Sequence, residues 1–106
     1  MGYRFMRIIV FFDLPVETIE NKRNYRKFRK FLISNGYIMM QESVYTKILI
    51  TQNSEKAARD LLRKNRPPNG LVQTLTITEK QFSKMEFITG SFQSEIVNSD
   101  QRLVIL

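Results

Sequence analysis

The segment from Phe5 to Asp13 constrains this chain more than any other. It is almost wholly apolar, rich in aromatic and β-branched residues, and followed closely by Pro15. A run that is apolar at successive positions needs cover on both faces, so it belongs in the middle of a sheet. Pro15 cannot continue the ladder. The strand's last residue is Asp13, and a carboxylate at the rim of such a strand has two readings. It can form an Asx-type turn by accepting a backbone N–H near Leu14 or Pro15, or it can be a working ligand.

A helix is expected over Glu17–Asn35, with Glu17 and Glu20 suiting the positive end of its dipole and Gly36 ending it. At 100° per residue, Tyr25, Phe28, Phe31 and Leu32 share one side with Asn21, Asn24 and Asn35. Lys22, Arg23, Arg26, Lys27, Arg29 and Lys30 fall opposite. Tyr37–Met40 and Ser43–Ile50 read as a hairpin pair, joined at Gln41 and Glu42 without an Asn-Gly or Asp-Gly turn. Ser54 is positioned to cap a second helix, Glu55–Asn65. Ala57, Ala58, Leu61 and Leu62 are expected to face inward there, and Arg59, Arg63 and Lys64 outward. Pro67-Pro68-Asn69-Gly70 breaks the chain before a strand at Leu71–Thr78.

Strand, helix, strand, strand, helix, strand is the split βαβ order of an α+β, ferredoxin-like βαββαβ sandwich. Its helices cover one face of a four-stranded antiparallel sheet and leave the other open. The cheapest cover for that face is a second copy about a two-fold axis, so a homodimer is expected. Extra C-terminal strands are anticipated. Met85–Ile88 reads as a short fifth strand, Gly90–Gln101 as a polar linker, and Arg102-Leu103-Val104-Ile105-Leu106 as a terminal strand seeking an edge; these strands either fold back on the chain's own sheet or complete a partner's. Residues 1–90 then form the domain, and residues 91–106 a linker with a terminal strand for dimer or partner contact. Leu103, Val104, Ile105 and Leu106 are the candidate partner-binding residues.

Charge narrows the function. Residues 1–66 hold fourteen Lys and Arg against six Asp and Glu, whereas residues 67–106 hold three against four. A basic front half suits a polyanion. The six cations of the first helix exceed what solubility requires, and all can reach phosphates. No feature suggests base-specific reading, so binding is expected to follow the backbone and weaken steeply with salt. No apolar run approaches the length needed to cross a membrane, and Arg4 and Arg7 interrupt any signal-peptide layout, so a cytoplasmic protein without membrane contact is expected.

The chain has no cysteine and no histidine. That excludes disulfides, the usual zinc sites, and Ser-His-Asp or Cys-His nucleophiles. Hydrolysis would have to rely on carboxylate-held Mg²⁺ or Mn²⁺, which suits phosphate substrates. Glu17, Glu20, Glu55 and Asp60 read as dipole partners or solvated charges. Asp13 is the candidate ligand, and in a two-fold dimer two copies of it could meet across the axis. Tyr3, Tyr25, Tyr37 and Tyr45 could stack on bases. For Tyr25 and Tyr45, though, positions on the apolar helix face and inside a strand favour packing.

Asp13-Leu14-Pro15 closing the first strand, the basic Tyr25-Arg26-Lys27-Phe28-Arg29-Lys30-Phe31-Leu32 helix, Asn35-Gly36-Tyr37 and Gln41-Glu42-Ser43-Val44-Tyr45 together give the chain a family likeness over roughly residues 5–90. It resembles the small CRISPR-associated spacer-adaptation proteins, the non-integrase half of the adaptation pair, also described as metal-dependent endoribonucleases. The resemblance implies a ferredoxin-like homodimer. It implies that Asp13 is both the catalytic residue and the magnesium ligand, paired across the dimer. It also implies CRISPR integrase subunits as partners, with C-terminal strands pairing to the other protomer and to the integrase. A protospacer DNA duplex would be held along the basic helix, with RNA or DNA as the substrate of a magnesium-dependent endonuclease activity. The alternative is a stand-alone ribonuclease or a toxin–antitoxin-type dimer on a similar fold.

Overall fold

The computed structural model describes residues 5–91. Strand β1, Met6–Asp13, lies between β3, Val44–Leu49, and β4, Leu71–Thr78; β2, Ile38–Gln41, is at the edge beside β3. The sheet order β2-β3-β1-β4 is antiparallel at every pairing. Helix α1, Ile19–Ser34, follows β1, and α2, Ser54–Lys64, follows β3. This is the ferredoxin-like arrangement, with the apolar first strand at its centre.

Alternation along β1 sorts the sheet's faces. Ile8, Val10 and Phe12 join Tyr45 and Leu49 of β3, Phe28 and Leu32 of α1, and Ala58 and Leu62 of α2 in one buried core. Phe12 is its hub, edge-on to Phe28 at 5.3 Å and to Tyr25 at 6.1 Å. Arg7, Ile9, Phe11 and Asp13 point to the opposite face. Their partners across β1 include Thr46 and Val44 on β3, and Leu75, Gln73 and Leu71 on β4.

The helices begin and end where local chemistry dictates. Thr18 caps α1 by accepting from the Asn21 backbone N–H at 3.0 Å, so Glu20 but not Glu17 lies in the first turn. Gly36 follows the Asn35 cap at φ +91°, the left-handed geometry that favours glycine after a helix. At α2 the cap residue is Asn53, and Ser54 is the first helical residue, its hydroxyl accepting from the Thr51 backbone N–H. Only Ala58 and Leu62 of the four expected inward residues are buried. Ala57 and Leu61 are exposed, because α2 offers the sheet a single narrow i, i+4 stripe. Arg59, expected outward, is half-buried and ion-paired to Glu55 at 3.0 Å.

Two expectations about the sheet's far side need correction. Met85–Ile88 is not a strand. A short helix α3, Glu79–Phe82, follows β4 directly, started by a reciprocal cap between Thr78 and Gln81. Turn hydrogen bonds from Ser83, Lys84 and Met85 then carry the chain away from the sheet edge. The far face is therefore not wholly open. Arg7 clasps Glu79 through its Nε at 2.8 Å and its Nη2 at 2.6 Å, and lies over the Phe82 ring at 4.1 Å. Met85 and Phe87 line a groove of about 380 Å³ with Ile38, Met40 and Thr46. Among the described residues nothing covers the face beyond this strap: Leu71 is 54% and Leu75 51% exposed, and Phe11 is also exposed. The expected terminal strand and its residues Leu103–Leu106 lie outside the described residues, as does Tyr3.

Candidate metal and nucleic-acid site

Asp13 ends β1 opposite Leu71 of β4, on the bare face and exposed. Among the described residues nothing forms an ion pair or a hydrogen bond with its carboxylate. A turn role would need such a bond. The backbone beneath it is fixed by Gly70, at φ +93°. A Cβ there would stand 2.7 Å from the Asp13 carbonyl oxygen and 2.7 Å from a Leu14 methyl carbon. Gly70 thus lets the turn before β4 press against the Asp13–Leu14 backbone. The sequence signalled this position only as a chain breaker; the close approach is a tertiary fact.

No group of three or more His, Cys, Asp or Glu converges among the described residues. One chain therefore offers one hard oxygen donor at Asp13. That fits Mg²⁺ or Mn²⁺, which accept one or two carboxylates and complete their shells with water and phosphate oxygens.

The cations of α1 are exposed as expected, although Lys27 and Lys30 share a groove with Phe28 and Phe31 rather than lying opposite them. Lys22, Arg23, Arg26, Lys27, Arg29 and Lys30 are all exposed, and none forms an ion pair among the described residues. The contrast is α2, where Lys56 and Arg63 share Asp60 and Arg59 holds Glu55. The two cations hold the Asp60 carboxyl below its ordinary range. Arg29 differs from its five neighbours. Its Nε donates to the Tyr45 hydroxyl at 2.7 Å, and that bond raises its already high pKa. Arg29 is thus tethered to the core, its fork pre-oriented rather than free to search. Tyr45 is fully buried, Tyr37 nearly so, and Tyr25 half-buried against Phe12, so the structure uses these rings for packing.

A second cationic locus was missed in the sequence. Lys64 and Arg66, at the end of α2, join Lys27 and Lys30 around a groove of about 400 Å³ floored by Phe28, Phe31 and two prolines. Arg66 donates to the Arg63 carbonyl at 2.7 Å and so caps α2 from beyond its end.

Fold and site together define a small ferredoxin-like domain with one exposed carboxylate at the end of its central strand and an unneutralised basic helix. Residues 6–85 match the family model of the CRISPR associated protein Cas2. The chain is 52% identical over 101 residues to the CRISPR-associated endoribonuclease Cas2 of Treponema denticola, covering 95% of this chain and 100% of that protein. It is 48% identical to the protein of the same name from Streptococcus mutans, over 95% of this chain and 93% of that one. Against the one from Ligilactobacillus salivarius it is 44% identical, over 95% and 100%. The chain belongs to the Cas2 family of CRISPR-associated proteins. Among the described residues no helix is long and apolar enough to cross a membrane.

Proposed function

We propose that two copies of this chain pair through the bare sheet face to form a metal-dependent endonuclease subunit of CRISPR adaptation. That dimer binds a nucleic-acid backbone along α1 and bridges integrase subunits. The observation that carries the reading is the placement of Asp13: exposed, unpartnered among the described residues, and on the face whose apolar residues lack cover. A second copy covering Phe11, Leu71 and Leu75 would remove apolar surface from water and bring a second Asp13 toward the first. Membership of a family whose curated relatives are named endoribonucleases supports the cleavage part of the reading.

In this scheme the paired Asp13 carboxylates hold Mg²⁺ or Mn²⁺. When bound, the ion supplies Lewis acidity at a phosphodiester and a nucleophile at neutral pH. The chain's own part is orientation. Gly70 fixes the Asp13 backbone, and the α1 cations hold the flanking phosphates. A 16-residue helix is about 24 Å long, which spans roughly seven base steps at 3.4 Å each. The helix thus contacts a short backbone stretch without reading its bases. Residues 1–90 act as the folded unit, and residues 91–106, with Leu103–Leu106, as the contact for integrase or the second protomer.

The test compares Asp13→Asn with the wild-type chain in Mg²⁺ or Mn²⁺ on RNA and duplex DNA. Cleavage is expected to fall at least about 100-fold, beyond the 10–100-fold typical of outer-shell partners, while binding and dimer mass are retained. Undiminished cutting by pure variant would remove Asp13 from the mechanism. Co-purification with integrase, lost when Arg102–Leu106 is deleted, separates the adaptation subunit from a stand-alone ribonuclease.

A further inference from the structure

We propose that the groove between α1 and the end of α2 is a second phosphate-backbone contact, separate from the outer face of α1. This deepens the nucleic-acid reading and rests on it. Four cations converge there from two elements: Lys27 and Lys30 from α1, Lys64 and Arg66 from the α2 end. Among the described residues none of the four is ion-paired, although α2 neutralises its other cations internally. Among the described residues no carboxylate lines the groove. Among the described residues the opposing charge is the partial negative ends of α1, at Ser34, and of α2, about half an elementary charge each, set against four full positive ones.

The pairing of charge and floor defines the ligand. Phe28, Phe31, Pro67 and Pro68 give an apolar base beneath the cationic rim. A nucleic-acid strand presents that alternation, with anionic phosphates joined by less polar sugars. A volume of about 400 Å³ admits a stretch of strand rather than one small ion. Arg66 is held in place by its bond to the Arg63 carbonyl, so little side-chain entropy is lost when it meets a phosphate. Lys22, Arg23 and Arg26 do not line this groove, so a backbone engaging both loci follows α1 and then crosses it toward α2.

The experiment measures duplex DNA affinity across a salt series for the full chain and three double or triple variants. Each cation withdrawn from a phosphate makes the slope of log K against log salt shallower by about 0.9. Lys64→Gln with Arg66→Gln is expected to reduce the slope by about 2, without sequence preference. Lys22→Gln, Arg23→Gln and Arg26→Gln should reduce it independently, and Lys80→Gln with Lys84→Gln should leave it unchanged. Arg66→Gln also removes a helix cap, so Lys64→Gln alone, expected to reduce the slope by about 1, guards against a folding effect. An unchanged slope for the groove variants while the outer-face variant weakens overturns the groove and leaves the function reading intact. Equal loss in the Lys80/Lys84 variant would mean net charge alone acts, and also overturns the groove. No change in any variant overturns the nucleic-acid reading beneath it.

Discussion

The two faces of the sheet are built from the same strands and do opposite work. Under the helices, Ile8, Val10, Tyr45, Leu49 and Leu32 are completely or almost completely buried and packed on one another. On the other side, β1 turns Phe11 and Asp13 outward, and β4 leaves Leu71 and Leu75 half exposed. Ile9, at the centre of that same face, is only 5% exposed, so the strands themselves and the Arg7-anchored strap cover the middle and one end. Among the described residues, the end that carries Asp13 remains uncovered. One face holds the domain together, and the other leaves apolar side chains exposed.

That contrast is sharpest in a pair of leucines. Leu32→Ala, on the closed face, is expected to cost about 2–5 kcal/mol, lowering the thermal midpoint by at least about 8 °C. Leu75→Ala, on the bare face, should change chemical unfolding of dilute protein by less than about 1 kcal/mol while weakening self-association in sedimentation. Equal losses in dilute solution would mean that the bare face is part of the subunit's own core.

A smaller effect is expected where the faces meet. Gly70→Ala forces a left-handed backbone and a methyl into the Asp13 carbonyl, for about 1–3 kcal/mol. Gly36→Ala shares the strain but meets only the Lys47 chain at 3.7 Å, so it should cost less. Denaturant titration of both variants separates strain from collision, and the close approach at Gly70 is refuted if both variants are destabilised equally.

The smallest effect lies within the closed face. Tyr37 is buried with no partner for its hydroxyl among the described residues, and burial pushes its pKa up to about 12 from 10.0. Below pH 10 both folded and unfolded chains keep the proton, so the group adds no pH dependence. Between about 10 and 12 the unfolded chain loses it first, and stability falls as pH rises. Tyr37→Phe should remove that alkaline loss. At neutral pH it should be neutral or stabilising by up to about 1 kcal/mol, because an unmatched hydroxyl leaves the core. A retained alkaline loss in the variant would assign it to another group.

Much of the fold could be read from local pattern. The apolar run of β1, the amphipathic α1 and the breakers at Gly36 and Pro67–Gly70 each carry their signal within a few residues. The strap is hard to read because Met85–Ile88 has strand-like composition. The Thr78–Gln81 cap that starts α3 instead is visible at the right spacing, but competes with the apolar residues after it. Ala57 and Leu61 are misplaced by pattern because helical spacing gives the centre of an apolar stripe, not its width. Asp13 stands out by position, yet Gly70 beside it does not, since the two meet across 57 positions of chain.

The order of residues by itself determined the element sequence, the central place of β1, the cationic face of α1 and the lack of any thiolate or imidazole ligand. All are properties of neighbours, periodicity or composition. Tertiary structure alone decided that Arg29 is tied to Tyr45, that Lys64 and Arg66 meet the α1 lysines across a groove, and that Arg7 straps α3 over the sheet. These depend on which distant segments pack together. Side-chain reach of a few ångströms cannot be read from separation along a chain.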